Sequence, residues 1–200
     1  MNNDLLNDIE VNKRLPALME VSSQALSMLG SKFTQTPQGH IQTDIAAMSS
    51  VAGLIVLQET VRNLKDVIRE SGAGNVLLSD VHESQGLVFK FIMIYAASNG
   101  IDVEGNWNEK VPKDQEPLLR CEEMTRRIAP SFYRFCAEQK LERDYWKIAA
   151  ATTSVRLLLA GKEMGILEPN IGKTLALLYV AAGSKTIPYE DALWPDDTAV

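Results

Sequence analysis

The chain has 200 residues, 46% apolar and 23% charged, enough length and apolar content for one buried core; wholesale disorder is excluded. Its net charge of −6 excludes attraction to DNA or anionic lipid through the overall field. Cys121 and Cys136 are the only cysteines; on one helix they would stand about 22 Å apart, beyond disulfide reach.

The opening MNNDLLNDIE is acidic and lacks the cationic, apolar character of a signal peptide, so a reduced cytoplasmic location is expected. Pro16 suits the first turn of a helix running to about Gly30. After a polar connection, Leu54, Leu57, Val61, Leu64 and Ile68 alternate steps of three and four, which predicts one long helix from about Thr43 to Ser71. The only long uncharged run here, between Asp44 and Glu59, is too short to span a bilayer that needs about 20 residues, so no membrane partner is expected. Gly72 and Gly74 suit its C-terminal cap. The next helix is expected from about Asn75 to Asn99-Gly100, and its apolar stretch over 86–97 reads as the central, buried helix.

NGIDVEGNWNEKVPKD, residues 99–114, is the longest break, and Trp107 within it is a candidate anchor for a partner or a lid over the core. Three more helices follow: one to about Gln139 with a kink or restart expected at Pro130, one from Glu142 to Met164, and one from Pro169 to Ala182. The expectation is therefore all-α, a single domain over 1–200 of about six principal helices in an orthogonal or bundle-like array. IAAMSSVAGLIVLQE from 45 resembles IAAATTSVRLLLAGKE from 148, and IYAASNGI from 94 resembles YVAAGSKTI from 179. These echoes admit a 3+3 duplication with halves 1–100 and 113–200 joined by 99–114. The small residues of 45–53 and 148–154 serve either close packing within the chain or a homodimer interface.

GILEPNIGKT, residues 165–174, ends like a phosphate-binding P-loop. That motif needs four residues between its glycines, whereas six separate Gly165 from Gly172, and it follows a strand where this stretch follows a helix. No nucleotide is expected at Gly172-Lys173-Thr174. His40 and His82 form no paired-ligand motif with each other, with carboxylates or with the cysteines, so no metal and no cofactor is expected. No nucleophile elbow occurs, and Cys136 on an apolar face reads as an inert thiol.

Charge is unevenly distributed. Residues 110–162 carry eleven Lys or Arg against seven Asp or Glu; the rest carry nine against nineteen. Lys113, Arg120, Arg127 and Arg134 recur every seven residues and would lie along one helix side as a partner- or anion-binding strip. The competing reading is self-neutralisation by Glu116–Arg120, Glu122–Arg126 and Glu123–Arg127 at i, i+4 spacing. Nucleic acid is not expected there, because the flanking segments are acidic. The function these features favour is non-catalytic protein–protein contact, as an adaptor, chaperone-like or regulatory subunit. The alternative is a small-ligand protein or enzyme with an interhelical pocket lined by Phe89, Met93, Tyr95, Trp146 and Arg156.

Overall fold

The computed structural model describes residues 9–32, 40–77, 82–103 and 110–195. Among them the chain forms seven α-helices: α1 (Ile9–Lys32), α2 (Ile41–Thr60), α3 (Leu64–Ser71), α4 (His82–Ser98), α5 (Cys121–Glu138), α6 (Trp146–Glu163) and α7 (Pro169–Gly183). Single 3-10 turns at Lys113–Gln115, Arg143–Tyr145 and Glu190–Ala192 join or follow them. The all-α expectation holds, and one continuous core draws buried side chains from every helix.

The centre is α2, not the 86–97 segment. Sixteen of the 20 residues of α2 are buried, whereas Leu87 and Lys90 of α4 are exposed and Phe89 is half-buried. By length and composition α2 would cross a bilayer, yet 89% of its apolar window is covered by the chain itself. Each fully buried side chain such as Ile45, Leu54 or Leu57 contributes about 1.5–3 kcal/mol. Alanine, serine and glycine fill the other positions, which lets α6 and α7 approach closely. Ser49 and Ser154 share a buried hydrogen bond of 2.7 Å where α2 meets α6. A Cβ on Gly53 would stand 2.3 Å from the Val180 carbonyl oxygen, and one on Gly183 would stand 2.2 Å from that of Ser50. The small-residue stretches are thus used for packing inside one chain.

Several boundaries differ from the sequence expectation. Pro16 lies inside α1, which begins at least seven residues earlier, rather than at the first turn of a helix. The helix expected over 43–71 is broken: Val61 is extended (φ −99°, ψ 102°), and α3 departs on a new axis. No proline or glycine marks the break. The apolar rhythm continues through it because Leu64 is buried and Val67 and Ile68 pack on the core after the change of direction. This accounts for seven helices against six, four before the 99–114 connection and three after it.

Residues 74–77 do not start α4. They pair with 185–187 through Gly74 N–H to Ile187 O (2.8 Å), Ile187 N–H to Asn75 O (2.8 Å) and Leu77 N–H to Lys185 O (2.7 Å). Gly72 and Gly74 have positive φ, 77° and 86°, which glycine adopts readily, but Gly72 has ψ 153°, so it ends α3 without the left-handed helical cap expected there. Helix α5 begins at Cys121, with the Glu123 carboxylate accepting from the Arg120 N–H at 3.4 Å. It runs through Pro130 as one helix. Pro130 and Arg126 are both exposed, so the carbonyl that loses its donor lies on the wet side.

Candidate functional site

The Gly-Lys-Thr triplet sits within the first half of α7. It follows a helix-to-helix turn in which Gly165 adopts φ 68°, so none of the strand-to-helix geometry of a P-loop is present. Gly172 is there for closeness, since a Cβ would stand 2.8 Å from Leu167 and 2.9 Å from Leu158 side-chain carbons. Lys173 is only 1% exposed. Its ammonium donates to the Asp102 carbonyl and the Asn170 Oδ1, each at 3.3 Å, and so ties the start of the 99–114 connection to α7. The residue that resembles a phosphate ligand is a structural bolt.

Beside it opens a cleft of about 620 Å³ between α7 and the 110–117 segment. Val111 and Pro117 form one wall, and Leu177, Leu178 and Tyr179 the other, with Lys110 and Glu116 at the edge. Leu178 is 53% exposed, and Leu118, next to the wall at Pro117, is 55% exposed. The Thr174 hydroxyl lines the cleft and is buried without a hydrogen-bond partner. Burial pushes the Tyr179 phenol above its usual range, and the Cys121 and Glu116 charges add to it.

The segment forming the outer wall is held at its far side by α2. The Thr43 hydroxyl pairs with His40 Nδ1 at 2.9 Å and accepts the Leu118 N–H at 3.0 Å. His40, in a loop by sequence, is the N-cap of α2, and burial lowers its imidazole pKa. Next to it, Asp44 Oδ1 and Gln115 Oε1 are both buried acceptors without partners. Burial pushes the Asp44 carboxyl up to about 6.

Lys113, Arg120, Arg127 and Arg134 are all exposed, but they do not share one helix side as expected: Lys113 lies in the 3-10 turn Lys113–Gln115 and Arg120 is the N-cap of α5, so only Arg127 and Arg134 are on the helix. Self-neutralisation at i, i+4 does not occur in the way the spacing suggests. Arg126 turns away to Asp191 at 2.8 Å, Glu123 caps α5, and Arg134 alone meets an i+4 carboxylate, Glu138 at 3.8 Å. Among the described residues no carboxylate pairs with Lys113, Arg120 or Arg127. Trp107, the other expected anchor, lies outside the described residues.

None of the five residues expected to line an interhelical pocket lines the cleft beside α7. Met93 is buried and Phe89 and Tyr95 are half-buried on α4; Arg156 donates to the Ser22 and Ser23 hydroxyls and the Met19 carbonyl of α1. Trp146 stacks on Tyr133 (5.5 Å between centroids) and meets Trp194 edge-on. Gln58 joins that cluster by donating to the Tyr133 hydroxyl at 2.9 Å and accepting the Trp194 N–H at 2.8 Å. Nearby Lys147, 8% exposed, bonds both oxygens of Glu59 at 2.6 and 2.7 Å. Sequence reasoning missed this pair, 88 residues apart, because no local pattern signals it. Burial raises the Glu59 pKa, and the Lys147 hydrogen bond opposes the rise.

Both thiols are free. Burial raises the Cys136 pKa, and it pushes Cys121, which donates to Ser50 Oγ, up to about 11; neither is a thiolate at neutral pH. Among the described residues no three His, Cys, Asp or Glu side chains gather as metal ligands. Comparison of the chain with protein-family models, with curated proteins and with solved structures finds no match.

Proposed function

We propose that the chain is a non-catalytic cytoplasmic protein that acts by contact with another protein, as an adaptor, chaperone-like or regulatory subunit, through the cleft beside α7. The observation that carries this reading is the exposure of Leu178 on the lip of a 620 Å³ apolar cleft, with Leu118 exposed beside its opposite wall. An apolar cleft bordered by exposed leucines suits a docked partner, which covers both leucines while a small molecule in the cleft leaves them wet. The test is affinity capture from native lysate with the full chain, set against a Leu178→Asp, Arg120→Glu variant. Proteins captured by the native chain and lost by an equally stable variant are the expected result. An identical captured set from both would remove the cleft from the reading.

A second reading, a small ligand in the same cleft, is favoured by the unpartnered Thr174 hydroxyl and by a volume within the usual range for ligand sites. A melting-temperature screen against metabolites separates the two. A compound that raises the melting point of the native chain but not of Thr174→Val supports the ligand, and a flat response supports the protein.

A further inference from the structure

We infer that Asn99 is a self-modification site: when the last turn of α4 opens, its side chain cyclises onto the Gly100 nitrogen and hydrolyses to aspartate or isoaspartate. This stands apart from the contact reading above and from the cleft. Asn99-Gly100 is the only Asn-Gly pair in the chain, and both residues are exposed. Glycine has no Cβ to hinder the approach of its own nitrogen, so an asparagine before it is the one most open to attack. The step balances with water as the sole co-reactant. The Gly100 nitrogen gives its proton to solvent base and bonds to Asn99 Cγ; the Cγ–Nδ2 bond breaks, and the amide nitrogen takes up a proton and leaves as ammonia. Water then opens the succinimide ring. Attack at Cγ gives aspartate. Attack at the Asn99 main-chain carbonyl carbon gives isoaspartate, whose backbone is one carbon longer.

The fold holds both reacting groups. Gly100 takes φ 75°; its N–H donates to the Ala97 carbonyl at 3.0 Å, and the Ile101 N–H reaches the Ala96 carbonyl at 3.1 Å, the paired bonds of a Schellman cap. Asn99 Nδ2 points back along α4 to the Tyr95 carbonyl at 2.8 Å, which also accepts the Ser98 hydroxyl at 2.9 Å. The nitrogen that attacks and the amide that leaves are thus each occupied. Ile101, buried in the core, pins the turn from below, and Lys162 of α6 ties it from outside by donating to the Gly100 carbonyl at 2.9 Å. Opening of this turn, the same event that lets the Gly100 proton exchange with solvent, therefore sets the rate. The products do not restore the cap. Both lose the amide donor to Tyr95 and place a carboxylate at the C-terminal end of α4, where the helix dipole disfavours it. Isoaspartate also shifts Gly100 off the register that its cap and Lys162 require.

The test ages the full chain beside a peptide of residues 96–103 in mildly alkaline buffer. Peptide mapping with electron-transfer fragmentation locates the products and tells isoaspartate from aspartate. Asn99 in the folded chain is expected to convert about ten- to a hundredfold more slowly than in the peptide, the factor that fraying of one helix end supplies. Lys162→Met, which removes the tie from α6, is expected to speed conversion at least about twofold. Asn99→Gln, whose longer side chain must close a larger ring, is expected to stop it. In the converted fraction, separated by charge, the Ile101 amide is expected to exchange at least about tenfold faster than in the unaged chain. No product at Asn99 after roughly a thousand peptide half-times overturns the site, and conversion less than about tenfold slower than the peptide's overturns the gate. Conversion unaffected by Lys162→Met overturns the part given to that tie, and unchanged Ile101 exchange in the product overturns the loss of the cap.

Discussion

Helix α7 has two faces built to different tolerances. On its inner face Leu175, Ala176 and Val180 are fully buried, and Gly183 leaves no room for even one carbon between itself and the Ser50 carbonyl of α2. On its outer face Leu178 is half in water and Thr174 borders an open cleft. The backbone separation between α2 and α7 is held to tenths of an ångström, so side-chain size there is dictated. Nothing within the chain dictates size at Leu178. Variants on the two faces should therefore separate stability from binding.

The largest effect is expected at the inner face. Gly183→Val forces α2 and α7 apart and should cost at least about 3 kcal/mol, a fall of roughly 10 °C in melting temperature for a chain of this size. A melt within 2 °C of the native one, roughly 0.5–1 kcal/mol, would show that the contact yields easily. Next comes the part-buried ion pair of Lys147 and Glu59. Lys147→Met should cost about 2 kcal/mol in urea unfolding, below the value for a fully dry pair because the Glu59 side chain is 22% exposed and water reaches it. Adding Glu59→Leu should return most of that loss; a double variant as weak as the single one would point to packing rather than to the unpaired carboxylate.

Asp44 gives a smaller effect with a definite sign. Its folded pKa of about 6 lies above the unfolded value of 3.8, so the folded chain holds an extra proton between those values. Its contribution to stability is present below pH 3.8 and lost as pH rises through 6. Asp44→Asn should thus stabilise the chain at pH 7 by about 1 kcal/mol, less the small loss of an acid from the first turn of α2, and make little difference at pH 3.5. An equal effect at both pH values would locate the cause outside the titration. The smallest stability change belongs to the outer face: Leu178→Asp should stay within about 0.5 kcal/mol of the native chain while removing the docked partner. Its melting curve, taken beside that of Gly183→Val, sharpens the contrast between the faces.

Much of the helix inventory was legible in the sequence. Pro169 at the start of α7, Gly165 before it, and Gly72 and Gly74 after α3 each mark a boundary through their own backbone preference. The failures share another cause. Pro16 and Pro130 sit within continuous helices, and Val61 breaks a helix without a breaker residue, because packing outweighs local propensity at those points. The 86–97 stretch read as central because it is apolar on many sides, yet α2 is more deeply covered because its small residues admit neighbours at close range. At the site, the exposed strip was legible as a seven-residue repeat of charge. That the expected i, i+4 pairs would not form was not, since Arg126 chose Asp191, 65 residues away, and Glu123 caps α5.

Composition, apolar rhythm and glycine or proline punctuation by themselves determined that this chain folds as helices, and about where most of them end. These are properties of each residue and its near neighbours. Tertiary structure alone decided that α2 is the axis, that Lys173 is a bolt for the 99–114 connection, that buried Lys147 pairs with Glu59, and that a cleft lies beside Leu178. Each of those depends on which distant surfaces meet. The free energy of such meetings resides in the space between elements, which no stretch of sequence carries alone.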